Sequence, residues 1–169
     1  IDDLIIYKLK RASFLVCVNA ANRDKCLNWI NTNAPDFQNV SIIDLGDSIA
    51  QIAIQGPKSL EIMQKLTDVD LSPVKLKYFV EGRLGGMDAY IARTGFTGER
   101  GYEIFLPAMI APGIWDSILK QGEEYGIKPA GLGCRDTLRL EMGYPLYGND
   151  MDDKTTPVEA SLDKAGYLR

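Results

Sequence analysis

Short apolar runs separated by polar turns dominate the chain, and this pattern predicts more strands than helices. Residues 4–9 and 14–18 are rich in β-branched side chains, and the polar residues 10–13 join them. Two such runs with a short polar connection predict a β-hairpin. Gly85 and Gly86 mark a second tight hairpin turn. The further predicted strands cover residues 40–45, 49–54, 74–84, 87–92 and 102–106.

Apolar side chains spaced three or four residues apart predict helices between the strands. The first helix covers residues 23–32, with Asn22 as its N-cap. Because the strands come mainly in hairpins, we expect mainly antiparallel sheets with flanking helices, an α+β architecture. The other predicted helices begin near Pro57 with an apolar stripe of Leu60, Met63 and Leu66, begin near Pro112 and end at Gly126, and cover residues 134–142.

The composition excludes several classes of function. The 169 residues amount to one domain by length, and 46% of them are hydrophobic, so a core can form. A net charge of only −4 argues against a nucleic-acid-binding surface. The chain contains no histidine, which removes histidine bases and histidine metal ligands, and we expect no metal. We expect no membrane contact, since no apolar run is long enough to span a bilayer.

The chain has three cysteines, Cys17, Cys26 and Cys134, with no CxxC spacing. An odd number without metal-site spacing indicates reduced thiols, mostly buried, in an intracellular protein. We therefore expect a cytoplasmic location, or a mitochondrial one if the source is a eukaryote.

Residues 93–103 read Arg-Thr-Gly-Phe-Thr-Gly-Glu-Arg-Gly-Tyr-Glu and lie between two predicted strands. Three glycines allow a tight turn and close backbone approach. Two aromatic rings, two carboxylates and two arginines provide a face to stack on and an edge to bond, as a planar polar ligand requires. The alternative is a hairpin with a solvated, charged tip.

This loop, followed by Ile104, resembles the signature of the glycine cleavage system T protein, a tetrahydrofolate-dependent aminomethyltransferase. Other stretches match the same family in the same order, and the resemblance extends from Asp2 to about Leu162. They are Asp-Asp-Leu-Ile-Ile-Tyr at 2–7, Val-Asn-Ala-Ala-Asn at 18–22, Pro-Ala-Gly-Leu-Gly-Cys-Arg-Asp-Thr-Leu-Arg-Leu-Glu at 129–141, and Tyr-Gly-Asn-Asp at 147–150 with Thr-Thr-Pro-Val-Glu at 155–159.

The resemblance implies that the one-carbon unit is transferred from the aminomethyl-lipoyl H protein to tetrahydrofolate, with release of ammonia. Folate would be the cosubstrate and the H protein the partner. It also implies two lobes, one containing residues 1–45 and 149–169 and the other residues 46–148. Since family members have a segment before this region and a domain after it, we expect a piece of a longer protein that is inactive alone.

For the first lobe, the resemblance places Asp3 in the folate cavity near the reacting amine. A carboxylate there stabilises the positive charge that develops as the one-carbon unit moves. Tyr7 and Asn19 would line the same cavity, and the spacing of four puts Asp3 and Tyr7 on one strand face. The alternatives are an exposed strand end for Asp3, cross-strand packing for Tyr7, and a turn or cap role for Asn19.

For the second lobe, the resemblance assigns the pterin to Glu103, through two parallel hydrogen bonds. Phe96 would stack on the ring, and Arg135 would contact the cofactor. The alternatives are solvated side chains on a strand and on a helix. Arg135 and Arg139, four residues apart, are expected to share a helix face and repel each other.

Two other functions stay open at this point. One is a non-catalytic folate-binding module related to iron–sulfur assembly factors, which the Asp2-Asp3-Leu4 motif disfavours. The other is the folate-using end of an amine dehydrogenase. Residues 163–166, Asp-Lys-Ala-Gly, depart from the family pattern, which puts the register of residues 163–169 in doubt.

Overall fold

A computed structural model describes residues 2–162, which form two compact units. Within the described residues, the first unit comprises residues 2–44 and 144–162, and the second comprises Leu45–Gly143. The lobes expected from the resemblance were divided after residues 45 and 148, and the units divide after residues 44 and 143. The atypical residues 163–169 lie outside the described part of the chain.

The first unit is built around a β-hairpin and one helix. Strand β1, Ile5–Lys10, pairs antiparallel with β2, Ser13–Cys17, as the sequence predicts. Helix α1 covers Arg23–Asn33, and Asn22 occupies the N-cap position, although its side chain makes no capping hydrogen bond.

The strand predicted at residues 40–45 is wrong, since the described chain forms no strand there. A strand needs a neighbour to supply ladder hydrogen bonds, and none pairs with this segment. Its apolar side chains are largely exposed, with Val40 at 57% and Ile43 at 74%. At the end of the segment, Asp44 forms an ion pair with Arg23 of α1 at 2.8 Å.

The second unit contains a four-stranded antiparallel sheet in the order β3-β6-β5-β4. Together with the flanking helices, it confirms the α+β class. The strand predicted from residue 74 is too long, because residues 74–78 form a turn in which Lys77 has a φ of 67°. The strands are β3, Ile49–Gln55; β4, Phe79–Leu84; β5, Met87–Ala92; and β6, Gly101–Pro107.

The predicted turn between β4 and β5 is confirmed. Gly85 has a φ of 57° and Gly86 a φ of 80°. Two consecutive positive φ values define the type I′ turn, whose twist matches that of the paired strands. Glycine adopts this conformation without the steric cost that other residues meet.

Three helices accompany the sheet: α2, Ser59–Gln64; α3, Ala111–Gly122; and α4, Leu132–Glu141. Helix α2 buries Met63, which belongs to the predicted apolar stripe, and Ile62, which does not. Gly126, with a φ of 71°, ends a 3-10 extension of α3 rather than the α-helix itself. Among the described helices, none is both long and apolar enough to cross a membrane.

The core of the second unit lies between one face of the sheet and helices α2 and α3. Alternation along β6 places Tyr102, Ile104 and Leu106 in this core. Glu103 therefore lies on the opposite face, as the sequence predicts. The other buried core residues include Ile52, Ile54, Ile62, Met63, Leu71, Leu84, Ile91, Ile114 and Ile118.

Truncation of a core leucine tests this packing. Leu84 is fully buried, whereas Leu76 is 66% exposed in the same unit. We expect Leu84→Ala to destabilise the second unit by about 2–5 kcal/mol, through lost burial and the cavity left behind. Leu76→Ala is the matched control and should cost far less. Hydrogen exchange of peptides from β4 to β6 in increasing urea measures both, and equal costs would contradict the assigned core.

Candidate active site

Asn19 holds the two acidic residues at the start of the chain together. Its Nδ2 atom lies 3.0 Å from Asp2 Oδ1, 3.0 Å from Asp3 Oδ1 and 3.0 Å from the Asp3 carbonyl oxygen. The structure thus brings Asp3 and Asn19, both predicted site residues, into direct contact. Asn19 occupies extended backbone just after β2, which places its side chain beside the segment before β1.

The Asp3 carboxyl lies in an unfavourable environment for a negative charge. Burial, and next the negative charge of Asp2, raise its pKa above the ordinary value. Hydrogen bonds from Asn19 and from the backbone N–H groups of Asp3 and Tyr147 offset part of this effect. A charge with reduced solvation interacts more strongly with a nearby cation than one in bulk water.

Asp2 is itself held from two sides. Its Oδ1 atom accepts a hydrogen bond from the Asp3 N–H at 2.9 Å, and its Oδ2 atom accepts one from Cys26 Sγ at 3.3 Å. Burial, and next the bond to Asp2, raise the pKa of the Cys26 thiol to about 11, so the thiol stays protonated at neutral pH. Cys26 is 2% exposed.

The other cysteines do not follow the expectation that most are buried. Cys17 is half-buried and Cys134 is exposed. Cys134 is the third residue of α4, which begins after the exposed Gly131, and no core element covers it.

Tyr7 is 4% exposed and lies in β1 opposite Leu15. Asp3 precedes β1, which begins at Ile5, so the argument that spacing places Asp3 and Tyr7 on one strand face does not apply.

Elsewhere in this unit, Lys25 Nζ lies 4.4 Å from the centre of the Tyr147 ring and donates a hydrogen bond to its hydroxyl group.

In the second unit, the loop from Arg93 to Arg100 is tied down at both ends. At its start, Arg93 N donates to the Tyr78 carbonyl at 2.8 Å, and its guanidinium donates to the Val74 carbonyl at 3.0 Å. At its end, the Arg100 carbonyl accepts hydrogen bonds from Gly56 N at 2.8 Å and Ser59 Oγ at 3.1 Å. The loop is therefore not the solvated hairpin tip of the alternative interpretation.

Gln55, the last residue of β3, ties down the middle of this loop. Its Nε2 donates to the Thr94 carbonyl at 3.1 Å, and its Oε1 accepts from Thr97 Oγ1 at 3.1 Å. A Cβ atom on Gly95 would lie 2.0 Å from the Gln55 side chain, and one on Gly101 would lie 2.2 Å from it. Two of the three glycines of the motif thus make room for one glutamine.

Glu103 stands among small neighbours on the sheet face away from the core. In the antiparallel register it is flanked by Ala53 of β3 and Ala92 of β5. Its Oε2 atom accepts a hydrogen bond from Thr94 Oγ1 at 2.5 Å, and Thr94 is 5% exposed. The carboxylate is half-buried and oriented by the loop that precedes it.

Phe96 and Arg135 are also in contact. The Arg135 guanidinium carbon lies 4.5 Å from the centre of the Phe96 ring, a cation–π geometry. Close to this contact, Gly98 has a φ of 77°, and a Cβ atom there would lie 2.4 Å from the Met142 side chain. The loop and helix α4 therefore present an aromatic ring and a guanidinium plane together.

Arg139 was expected to repel Arg135, but it forms an ion pair with Asp136 instead. Arg139 is 2% exposed and donates to Asp136 Oδ1 from Nε at 2.7 Å and from Nη2 at 2.6 Å. The spacing of three between Asp136 and Arg139 was a sequence signal for this pair. By contrast, no local signal distinguished Gln55, Asp2 or Cys26 as supports for the site.

Within residues 2–162, no three His, Cys, Asp or Glu side chains are grouped so that they could hold a metal ion. The polar groups that the structure does assemble are a pair of carboxylates with an amide in the first unit, and a carboxylate, a ring and a guanidinium in the second. The groups of the first unit suit a positively charged or reacting amine, and those of the second suit a planar ring with a hydrogen-bonding edge.

The chain belongs to the family of the GCVT N-terminal domain, whose model matches residues 1–167. This confirms the family indicated by the sequence motifs. The chain is 50% identical over 175 residues to the aminomethyltransferase of Caldanaerobacter subterraneus subsp. tengcongensis, which covers 99% of this chain and 46% of that protein. It is 48% identical over 166 residues to the aminomethyltransferase of Bacteroides thetaiotaomicron, covering 96% of this chain and 45% of that protein.

A solved structure of an aminomethyltransferase agrees with this family. The fold matches glycine cleavage system aminomethyltransferase T from Bartonella henselae with a TM-score of 0.81 and 30% identity, over 97% of this chain and 43% of that one. The heterotetrameric sarcosine oxidase from Corynebacterium sp. U-96 matches with a TM-score of 0.58 and 17% identity, over 78% and 65% of the two chains, which indicates a shared fold alone. The chain thus spans less than half the length of the aminomethyltransferases it matches.

The packing of Gln55 against glycine predicts a cost for adding one methyl group. We expect Gly101→Ala to destabilise the second unit by about 1–3 kcal/mol, because the new Cβ would overlap the Gln55 side chain. Gly113→Ala is the matched control, since a Cβ there meets nothing within 4 Å inside α3. That change should be neutral or stabilise by up to about 1 kcal/mol. Urea unfolding measures both, and a neutral Gly101→Ala would contradict the contact.

Proposed function

We propose that the protein containing this chain is the tetrahydrofolate-dependent aminomethyltransferase of the glycine cleavage system. It would transfer the one-carbon unit from the aminomethyl-lipoyl group of the H protein to tetrahydrofolate and release ammonia. The family and the names of the relatives support this assignment. The observation that carries it is the half-buried Asp3 carboxylate, held by Asn19 and raised in pKa.

Asp3 is the catalytic residue in this proposal. As the one-carbon unit leaves sulfur and joins a folate nitrogen, positive charge develops on the carbon–nitrogen unit. A fixed carboxylate stabilises that charge without having to reorient during the reaction. Its reduced solvation strengthens the effect, since less water screens the interaction.

Glu103 would bind the pterin edge of the folate. Within the described residues the carboxylate accepts one hydrogen bond, from Thr94, and a carboxylate has about four lone-pair sites. It therefore retains the capacity for two parallel hydrogen bonds from an amino-amide edge. The side chains directly opposite it in the register, Ala53 and Ala92, are single methyl groups and do not compete for its hydrogen bonds.

Phe96 and Arg135 would provide a platform beside the ring system. The ring supplies a stacking surface, and the guanidinium supplies positive charge for an anionic part of the cosubstrate. Tyr7 would line the same cavity, as the resemblance implies, whereas the Asn19 amide nitrogen is already bonded to Asp2 and Asp3. We also propose a cytoplasmic location, in keeping with the bacterial sources of the relatives.

The two other functions are not favoured. The relatives from Caldanaerobacter, Thermoanaerobacter and Bacteroides, which match 96–99% of this chain, carry the name aminomethyltransferase, which argues against a non-catalytic folate-binding module. The likeness to sarcosine oxidase concerns the fold and gives no support to an amine dehydrogenase.

Glu103→Gln tests the folate site in the intact protein. The change removes the charge and turns an acceptor into a donor that faces a donor. A lost charge-assisted hydrogen bond costs about 1.5–3 kcal/mol, which corresponds to roughly 10- to 100-fold weaker folate binding. Glu81→Gln, an exposed site on the same sheet face, is the control. Calorimetric titration with folate measures both variants. An unchanged dissociation constant for Glu103→Gln would show that Glu103 does not bind folate.

Asp3→Asn separates catalysis from folding. The amide keeps an acceptor for Asn19 but lacks the charge, so kcat should fall about 100- to 1000-fold while folate affinity changes little. Because the raised pKa means that the charged form is disfavoured in the folded state, thermal stability at neutral pH should not fall. Asp24→Asn in α1 is the control. Normal kcat with a lowered melting temperature would instead make Asp3 a structural anchor.

A further inference from the structure

We propose that Asp2, Asn19 and Cys26 form a positioning network that fixes the orientation and the protonation of the Asp3 carboxylate. This inference rests on the proposed function, in which Asp3 acts on the substrate. It assigns to three neighbouring side chains a role in catalysis without contact to the substrate.

The first step of the argument is the geometry around Asn19. Its single amide nitrogen lies 3.0 Å from three acceptors, of which two belong to Asp3 and one to Asp2. An amide nitrogen has only two hydrogens, so it is fully used by these contacts. The same nitrogen is therefore not available to a ligand, and the Asn19 amide holds the Asp3 carboxylate in place.

The second step is the support of Asp2. Its two carboxylate oxygens accept from three directions: the Asp3 N–H, Asn19 Nδ2 and Cys26 Sγ. A carboxylate that is hydrogen-bonded on both oxygens is rotationally fixed, and its charge has a fixed direction relative to Asp3. Cys26 is buried and stays protonated, with a pKa of about 11, so it is a permanent donor at physiological pH.

The third step is that Asp2 and Asn19 act on Asp3 in opposite directions. Burial, and next the negative charge of Asp2, raise the pKa of Asp3, and the hydrogen bond from Asn19 lowers it. The backbone N–H of Tyr147 also lies near Asp3. Two further titratable groups lie one residue away: Cys26 contacts Asp2, and Lys25 contacts the Tyr147 ring. Since Asp3 must be ionised to stabilise a cation, Asp2 and Asn19 shift the acid limb of the pH–rate profile in opposite directions.

The test uses the intact protein and compares Asp2→Asn with Asn19→Ala. Removing the charge of Asp2 lowers the pKa of Asp3, so the acid limb of the kcat profile should move to lower pH. Removing the Asn19 amide raises the pKa of Asp3, so the limb should move to higher pH. Asn19→Ala should also reduce kcat by up to about 100-fold with little change in KM, because the carboxylate is no longer aligned. Asn31→Ala, at an exposed position of α1, is the matched control.

A cysteine series tests the outer end of the network, and it is available even where Asp2→Asn does not fold. Cys26→Ala removes the donor to Asp2 and should reduce kcat several-fold. Cys26→Ser keeps a donor and should restore most of the activity. Cys134→Ala, at the exposed thiol, should leave activity unchanged.

A direct titration distinguishes failure of this inference from failure of the proposed function. The carboxyl carbon of Asp3, followed by NMR against pH, should titrate at lower pH in Asp2→Asn and at higher pH in Asn19→Ala, with or without enzymatic activity. Opposite titration shifts without aminomethyl transfer by the wild-type protein would refute the proposed function alone. Unchanged titrations and pH profiles in a wild-type protein that is active would overturn the network, as would variants that lose only thermal stability.

Discussion

The side-chain amide of Gln55 is the interaction on which the 93–100 loop depends. An amide carries both a donor and an acceptor, so one side chain binds the Thr94 carbonyl and the Thr97 hydroxyl together. Neither a glutamate nor an apolar residue can make both bonds. The close approach of Gly95 and Gly101 to this amide explains why a conspicuous glycine motif lies opposite an inconspicuous glutamine.

In the first unit, a side-chain amide has a similar role. There the Asn19 amide binds two adjacent carboxylates and partly offsets their mutual repulsion. In both units, one side-chain amide bonds two polar groups at once: Thr94 and Thr97 in the loop, and Asp2 and Asp3 before β1. Such buried polar contacts stabilise a specific geometry more than they stabilise the fold, since each bond mostly replaces one with water.

The sequence predicted what depends on local pattern. The hairpin of β1 and β2, the type I′ turn at Gly85 and the outward position of Glu103 all follow from alternation or from the preferences of glycine. The strand at 40–45 failed because an apolar run becomes a strand only where a neighbour pairs with it. Gln55, Asp2 and Cys26 stayed hidden because their importance lies in contacts with residues distant in sequence, for which one sequence gives no signal. The resemblance to the family indicated Asp3, Glu103, Phe96 and Arg135 as candidates, and also Asn19, which holds Asp3, but it did not indicate the supporting roles of Gln55, Asp2 and Cys26.

The unequal exposure of the cysteines offers a practical route into the protein. Cys26 is sealed inside the first unit, whereas Cys134 is exposed at the start of α4, directly before Arg135. A thiol-reactive fluorophore would therefore attach to Cys134 in preference to Cys26, whose thiol is both buried and protonated. The label would lie next to the guanidinium that stacks on Phe96, and its emission would report rearrangement of that stack in real time.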